Sequence, residues 1–168
     1  MVTAVDPGSF DPVTRGHLDL VERSLRLFDS ITVAVAENSS KQPVFTLEER
    51  LEILRAVLPK TPRIQVSAFR GLVVDFCRVH GFSAILRGLR TVADFEYEFS
   101  MALTNRHLNP DVETIFVMPS EQYSYVSSSL IKDVVRHGGD VSKFLPPIVE
   151  TRLRARLLEI HARNQQPG

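Results

Sequence analysis

The sequence predicts an α/β fold, a doubly wound parallel sheet of five strands with a C-terminal helical extension. Three observations lead there. Short apolar, β-branched runs alternate with segments of helical periodicity along most of the chain. Ile31–Ala36 is almost uninterrupted in apolar residues, as expected of a strand covered on both faces. Helices lie between or after the strands, which implies parallel pairing through right-handed crossovers.

The first strand is read at Val2–Val5, ending in a turn rich in Pro and Gly. A helix then begins at Gly16-His17, with Leu18, Val21, Leu25 and Phe28 repeating on one face. The second strand, Ile31–Ala36, leads into a polar loop from Glu37 to Pro43. Thr46-Leu47-Glu48-Glu49 has the spacing of a capping box, in which Thr46 and Glu49 satisfy each other's end groups. The helix it opens turns Leu47, Leu51, Leu54 and Leu58 inward and stops at Pro59. Ile64–Phe69 is the third strand, followed by a helix from about Leu72 to His80 that closes at Gly81. Ser83–Arg87 is the fourth strand, Ala93–His107 a longer helix, and Thr114–Met118 the fifth strand. Pro119–Ser127 reads as loop, and the helix after it ends at His137-Gly138-Gly139. Pro146-Pro147 starts a terminal helix that frays into the polar tail 164–168. The expected organisation is one domain over 1–168, with about 140–168 as the helical extension and tail.

A chain of 168 residues, 43% hydrophobic and 24% charged, is ordinary for a globular domain. At this size roughly 70% of the unfolded surface is buried on folding, so no disulfide or metal is required. The 20 basic and 20 acidic residues cancel, which argues against nucleic acid or an anionic membrane as the partner. Cys77 is the only cysteine, so no intrachain disulfide is available, and its helical setting marks it as a core residue. No run approaches the roughly 18 apolar residues of a membrane span, and no signal-peptide layout is present, so a cytoplasmic location is expected. No Cys/His cluster has zinc spacing, with His80, His107, His137 and His161 scattered singly.

The chemistry concentrates at Asp6-Pro7-Gly8-Ser9-Phe10-Asp11-Pro12 running to Thr14-Arg15-Gly16-His17. A strand, a tight turn and a helix N-terminus make an anion site, because the first helical N–H groups are unpaired and the dipole there is positive. Gly8 and Gly16 would let backbone approach a phosphate, Ser9 adds a hydroxyl and His17 an imidazole. Asp11 is better suited to organising the turn than to catalysis. The pattern is neither G-x-x-x-x-G-K-[ST] nor G-x-G-x-x-G. Two further blocks end strands at the same rim, where open α/β sheets bind ligands. These are Arg87-Gly88-Leu89-Arg90 running on to Glu98, and the loop Tyr123-Ser124-Tyr125-Val126-Ser127-Ser128-Ser129. Two arginines around a glycine suit bidentate phosphate contact, and Ser127 or Ser128 suits a helix cap.

These residues resemble the nucleotidyltransferase superfamily with a His/Thr-x-Gly-His signature, and Pro7–Pro12 narrows the resemblance to its phosphopantetheine adenylyltransferase branch. The likeness runs from Val2 to about Arg154. It implies a Rossmann-like fold and bacterial coenzyme A synthesis, with the adenylyl group of ATP transferred to 4'-phosphopantetheine, giving dephospho-coenzyme A and pyrophosphate. It implies His17 as transition-state stabiliser, with Lys41 and Arg90 as further catalytic cations. For ATP it implies Ser9, Phe10, His17, Gly88, Leu89, Arg90, Glu98 and the stretch Tyr123 to Ser129. For the acceptor it implies Ser9, Lys41, Val73 and Arg87. On sequence alone Lys41 is a solvated loop residue, Glu98 a helix-surface acid and Val73 plain helix core. The loop before Lys41 lacks the proline common in the family, and Val126, Ser129 and Lys132 depart from the wider superfamily's Ile-Ser-Ser-Thr-x-x-Arg as this branch does. The resemblance further implies Mg2+ arriving with ATP, a homohexamer, and coenzyme A as feedback inhibitor. Competing readings are a nicotinamide-mononucleotide adenylyltransferase, an alcohol-phosphate cytidylyltransferase, or a non-catalytic nucleotide-binding module. The first two would not share the Arg87–Glu98 block.

Overall fold

The computed structural model describes residues 1–37 and 43–164, so Lys41 and the end of the polar tail lie outside the described residues. The elements run β1 (Thr3–Gly8), α1 (Arg15–Ser24), β2 (Ser30–Ala36), α2 (Leu47–Val57), β3 (Ile64–Phe69) and α3 (Val73–His80). They continue with β4 (Ala84–Gly88), α4 (Val92–Leu108), β5 (Glu113–Val117), a 3-10 turn (Glu121–Tyr123), α5 (Ser128–Arg136) and α6 (Pro147–Asn164). The strands form a single sheet in the order β3-β2-β1-β4-β5, every pair parallel. The order reverses between β1 and β4, and a crevice opens there beyond their carboxyl ends.

Side chains alternate across the sheet into two apolar layers. Ala4, Ile31, Val33, Val35 and Leu86 face a large core shared with α1, α2, α5 and α6. Val5, Ala34 and Ile85 face a smaller one with Val74 and the buried Cys77 of α3. The terminal helix is part of the main core, since its Val149 and Leu153 are fully buried, as is Leu145 just before it. The N–H of Arg15 also donates to the Phe144 carbonyl at 2.8 Å, tying the start of α1 to the segment before α6.

Two boundaries differ from the sequence reading for physical reasons. β1 continues past Val5 to Gly8, because Asp6, Pro7 and Gly8 stay in register with Val33, Ala34 and Val35 of β2. α1 begins at Arg15 and ends at Ser24, short of Phe28. Thr14 is its N-cap, and Leu25 its C-cap, after which the chain turns. The capping box of α2 forms as its spacing predicts, with Glu49 N–H on Thr46 Oγ1 at 3.2 Å and Thr46 N–H on Glu49 Oε2 at 2.8 Å.

Candidate active site

The turn after β1 is held from several sides. Asp11, almost fully buried, accepts from the N–H groups of Val44 and Phe45 at 2.9 Å each and pairs with Lys132 of α5 at 3.3 Å. Its role is thus to organise the turn. Arg50, buried on α2, donates to the Ser9 carbonyl at 2.9 Å. Phe10 adopts a φ of 48°, sparsely populated for a bulky side chain, and this folds its ring over Gly8. A Cβ on Gly8 would meet that ring at 3.0 Å, and one on Gly16 would meet Tyr123 at 3.4 Å. Gly8 therefore makes room for the Phe10 ring that walls the crevice, whereas a side chain at Gly16 would meet Tyr123 at ordinary van der Waals distance.

His17 is the third residue of α1 and closes a capping box with Thr14. The Thr14 N–H donates to His17 Nδ1 at 2.9 Å, while Thr14 Oγ1 accepts from the His17 N–H at 3.4 Å. An Nδ1 that accepts from backbone carries no proton, so the neutral ring carries its hydrogen on Nε2. The Phe10 ring braces the imidazole edge-on, with centroids 5.1 Å apart. Burial, then the charges of Arg90 and Arg87, push the His17 pKa down to about 4. The ring is a neutral donor at neutral pH. A histidine held below its unfolded value of 6.5 gives stability present above that pH and lost as pH falls through about 4. Replacing Arg90 with alanine should raise the His17 titration toward the ordinary range, read from its ring resonances by NMR. A midpoint unmoved by the substitution would remove Arg90 from this account.

Arg87, at the end of β4, is clamped by α4. Its Nε and Nη2 donate to the two carboxylate oxygens of Glu98 at 2.8 and 2.6 Å, and Nη1 donates to the Pro7 carbonyl at 2.8 Å. Burial opposes the guanidinium charge, but Glu98 outweighs it, and the Arg87 pKa stays above its usual range. Arg90 spans two walls, donating to the Val126 carbonyl at 2.7 Å and pairing with Asp94 at 3.4 Å. Ser127 caps α5 by accepting from the Leu130 N–H, and Ser128 donates to the Pro12 carbonyl at 2.8 Å. Asp19 of α1 accepts from the N–H and hydroxyl of Ser120 at 2.9 and 2.7 Å, anchoring the loop that follows β5.

Together these segments enclose a cleft of about 330 Å³. Its walls bring together Ser9, Phe10, His17, Arg87, Gly88, Arg90, Glu98, Tyr123, Val126, Ser127, Ser128 and Ser129 from the expected set. Others fall outside it. The Leu89 N–H donates to the Val117 carbonyl, the Ser124 hydroxyl to the Glu121 carbonyl, and the exposed Tyr125 ring rests edge-on against Phe144. Val73 opens α3 and packs beside the smaller core. Sequence reading missed Asp6, Thr14 and Asp94 as lining residues and Arg50 as the brace. The available signals were an acid closing an apolar strand and a Thr three residues before His17, the spacing of a capping box.

The cleft thus gathers a neutral imidazole donor, two arginines and a helix N-terminus at the switch in strand order, which suits phosphate chemistry. A family profile described as cytidylyltransferase-like matches residues 5–134. A phosphopantetheine adenylyltransferase of Thiobacillus denitrificans is 51% identical over 159 residues, covering 95% of this chain and 99% of the relative. One from Paraburkholderia phymatum is 54% identical over 154 residues, or 92% of each chain. One from Bordetella pertussis is 50% identical over 168 residues, covering 100% of this chain and 99% of the relative. Among solved structures, a Vibrio parahaemolyticus protein assigned as a nicotinate-nucleotide adenylyltransferase superposes with a TM-score of 0.61. It is 16% identical, covers 91% of this chain and 99% of its own, and bears on the fold alone. With half its residues shared with these relatives over nearly the whole length, the chain belongs to the phosphopantetheine adenylyltransferase family of nucleotidyltransferases.

Proposed function

We propose that this chain transfers the adenylyl group of ATP to 4'-phosphopantetheine, releasing pyrophosphate and forming dephospho-coenzyme A. The observation that carries the reading is the neutral His17, fixed by Thr14 in the tautomer that leaves Nε2–H for a ligand, on the same cleft as Arg87 and Arg90.

The acceptor's phosphate monoester has a second pKa near 6, so at neutral pH it is mostly a dianion and needs no general base. The barrier is electrostatic, because an anion must approach a triphosphate and pyrophosphate must leave with added charge. His17 Nε2–H donates to an oxygen of the transferring or bridging phosphate as charge grows there, Arg90 adds positive charge on the same cleft, and Lys41 is taken as a further catalytic cation. The Ser127–Ser129 turn and the α5 N-terminus hold the outer phosphates, and the clamped Arg87 receives the acceptor's phosphate. Displacement is in line, with no covalent intermediate. Among the described residues no three His, Cys, Asp or Glu side chains gather to hold a metal ion. In this reading magnesium would enter as part of the MgATP substrate, held by phosphate oxygens and water.

Among the described residues no helix is long and apolar enough to cross a membrane. A cytoplasmic setting, where ATP is supplied, fits the proposed reaction. Assembly as a homohexamer is part of the same reading, and the exposed Val92, Phe95, Phe99 and Leu103 on α4 are consistent with an interface without setting its stoichiometry. Coenzyme A, which contains the product, competes for the same cleft. Measuring pyrophosphate release with ATP and each acceptor in turn tests the activity. Turnover with 4'-phosphopantetheine supports it, and turnover only with nicotinamide mononucleotide or an alcohol phosphate overturns the acceptor assignment.

A further inference from the structure

Asp6 is an anomaly in a cleft that receives polyanions. It lies in the buried part of β1, is only 5% exposed, and lines the cleft. Among the described residues its Oδ2 has no hydrogen-bond partner. Arg87 acts on it through charge but makes no hydrogen bond to Oδ2, its Nε and Nη2 being turned to Glu98 and its Nη1 to the Pro7 carbonyl. The other charged or titratable groups on the cleft, among the described residues, are His17 of α1, Arg90 after β4, Asp94 and Glu98 of α4, and the phenol of Tyr123. On the β2 side its register partner is the apolar Val33. Lys41 lies outside the described residues.

A buried carboxylate with an oxygen left unbonded is costly, and a phosphate placed beside it makes it costlier. Neutralising the carboxyl removes both penalties and supplies a donor where a phosphate offers an acceptor. We propose that Asp6 is a specificity-determining residue that meets a substrate phosphate in its protonated form, its O–H donating to a phosphate oxygen. Binding then takes one proton from solvent and places it on this carboxyl, with no bond to the ligand made or broken. The inference rests on the reading of the cleft as the ATP site. Burial, only partly opposed by Arg87, pushes the Asp6 pKa up to about 7, which puts the coupling within the working range of a cell.

Titration calorimetry of the full-length chain with MgATP, in two buffers of different ionisation enthalpy between pH 7 and 8, reads the coupling directly. The expected result is net proton uptake that rises toward one per ATP, with affinity falling by up to about tenfold per pH unit above pH 7. Asp6→Asn keeps the shape and a donor but does not titrate, so uptake and slope should both disappear; His17, near 4, does not contribute there. ATP binding without uptake, with proton release, or with the same slope in Asp6→Asn overturns the proposal while leaving the adenylyl-transfer reading intact. No ATP binding at any pH overturns both. The wild-type calorimetry decides the matter even where Asp6→Asn folds poorly.

Discussion

Replacing His17 with alanine should lower kcat by about 10²–10³-fold, the loss of roughly 3–4 kcal/mol that accompanies removal of one preorganised transition-state donor. ATP affinity should fall far less, because the α5 N-terminus and the arginines remain. The size of the effect follows from preorganisation. Thr14 fixes the ring's tautomer through a 2.9 Å hydrogen bond, Phe10 braces it, and burial, with the arginines second, keeps it neutral. His17→Gln should recover part of the rate by restoring a donor, though without the capping-box geometry. Steady-state kinetics with both substrates check this, and a kcat unchanged in His17→Ala would remove the residue from the chemistry.

The Arg87→Ala change should do two separable things. Folding stability should drop by about 3 kcal/mol, the lower part of the usual cost of stranding one member of a buried ion pair, since Glu98 is 11% exposed in its side chain and Arg87 26%. Acceptor binding should also weaken, seen as a raised KM for 4'-phosphopantetheine with the KM for ATP little changed. Adding Glu98→Gln neutralises the orphaned acid and should restore much of the melting temperature while leaving acceptor binding impaired. A double variant that instead loses ATP affinity selectively would mean that the two ends of the site are exchanged.

Local features were legible in the sequence, and non-local ones were not. The Thr46–Glu49 box was readable because both partners lie within one helical turn. The equivalent box at α1 escaped notice because its reciprocal acceptor is an imidazole and not a Glu or Gln side chain. β1 was read too short because Pro7-Gly8 is turn chemistry, which pairing with β2 overrides in the fold. The Arg87–Glu98 clamp joins a strand end to a helix interior, and Asp11 meets Lys132 across most of the chain. Neither pairing has a periodic signature. The orphan oxygen of Asp6 is less visible still, since it depends on which neighbours spend their donors elsewhere.

The proton affinities of Asp6 and His17 also oppose each other. Asp6, raised from 3.8 to about 7, favours the folded state at low pH and loses that contribution as pH rises toward 7. His17, lowered from 6.5 to about 4, does the reverse as pH falls. Between about pH 4 and 6.5 their contributions to stability tend to cancel.

The start of α1 is held by a segment more than a hundred residues further along the chain. Its first N–H leans on the Phe144 carbonyl, and the core beneath it needs Leu145, Val149 and Leu153. A chain cut before Phe144 would therefore leave that end of the cleft unsealed and expose apolar surface for chaperones and proteases to find.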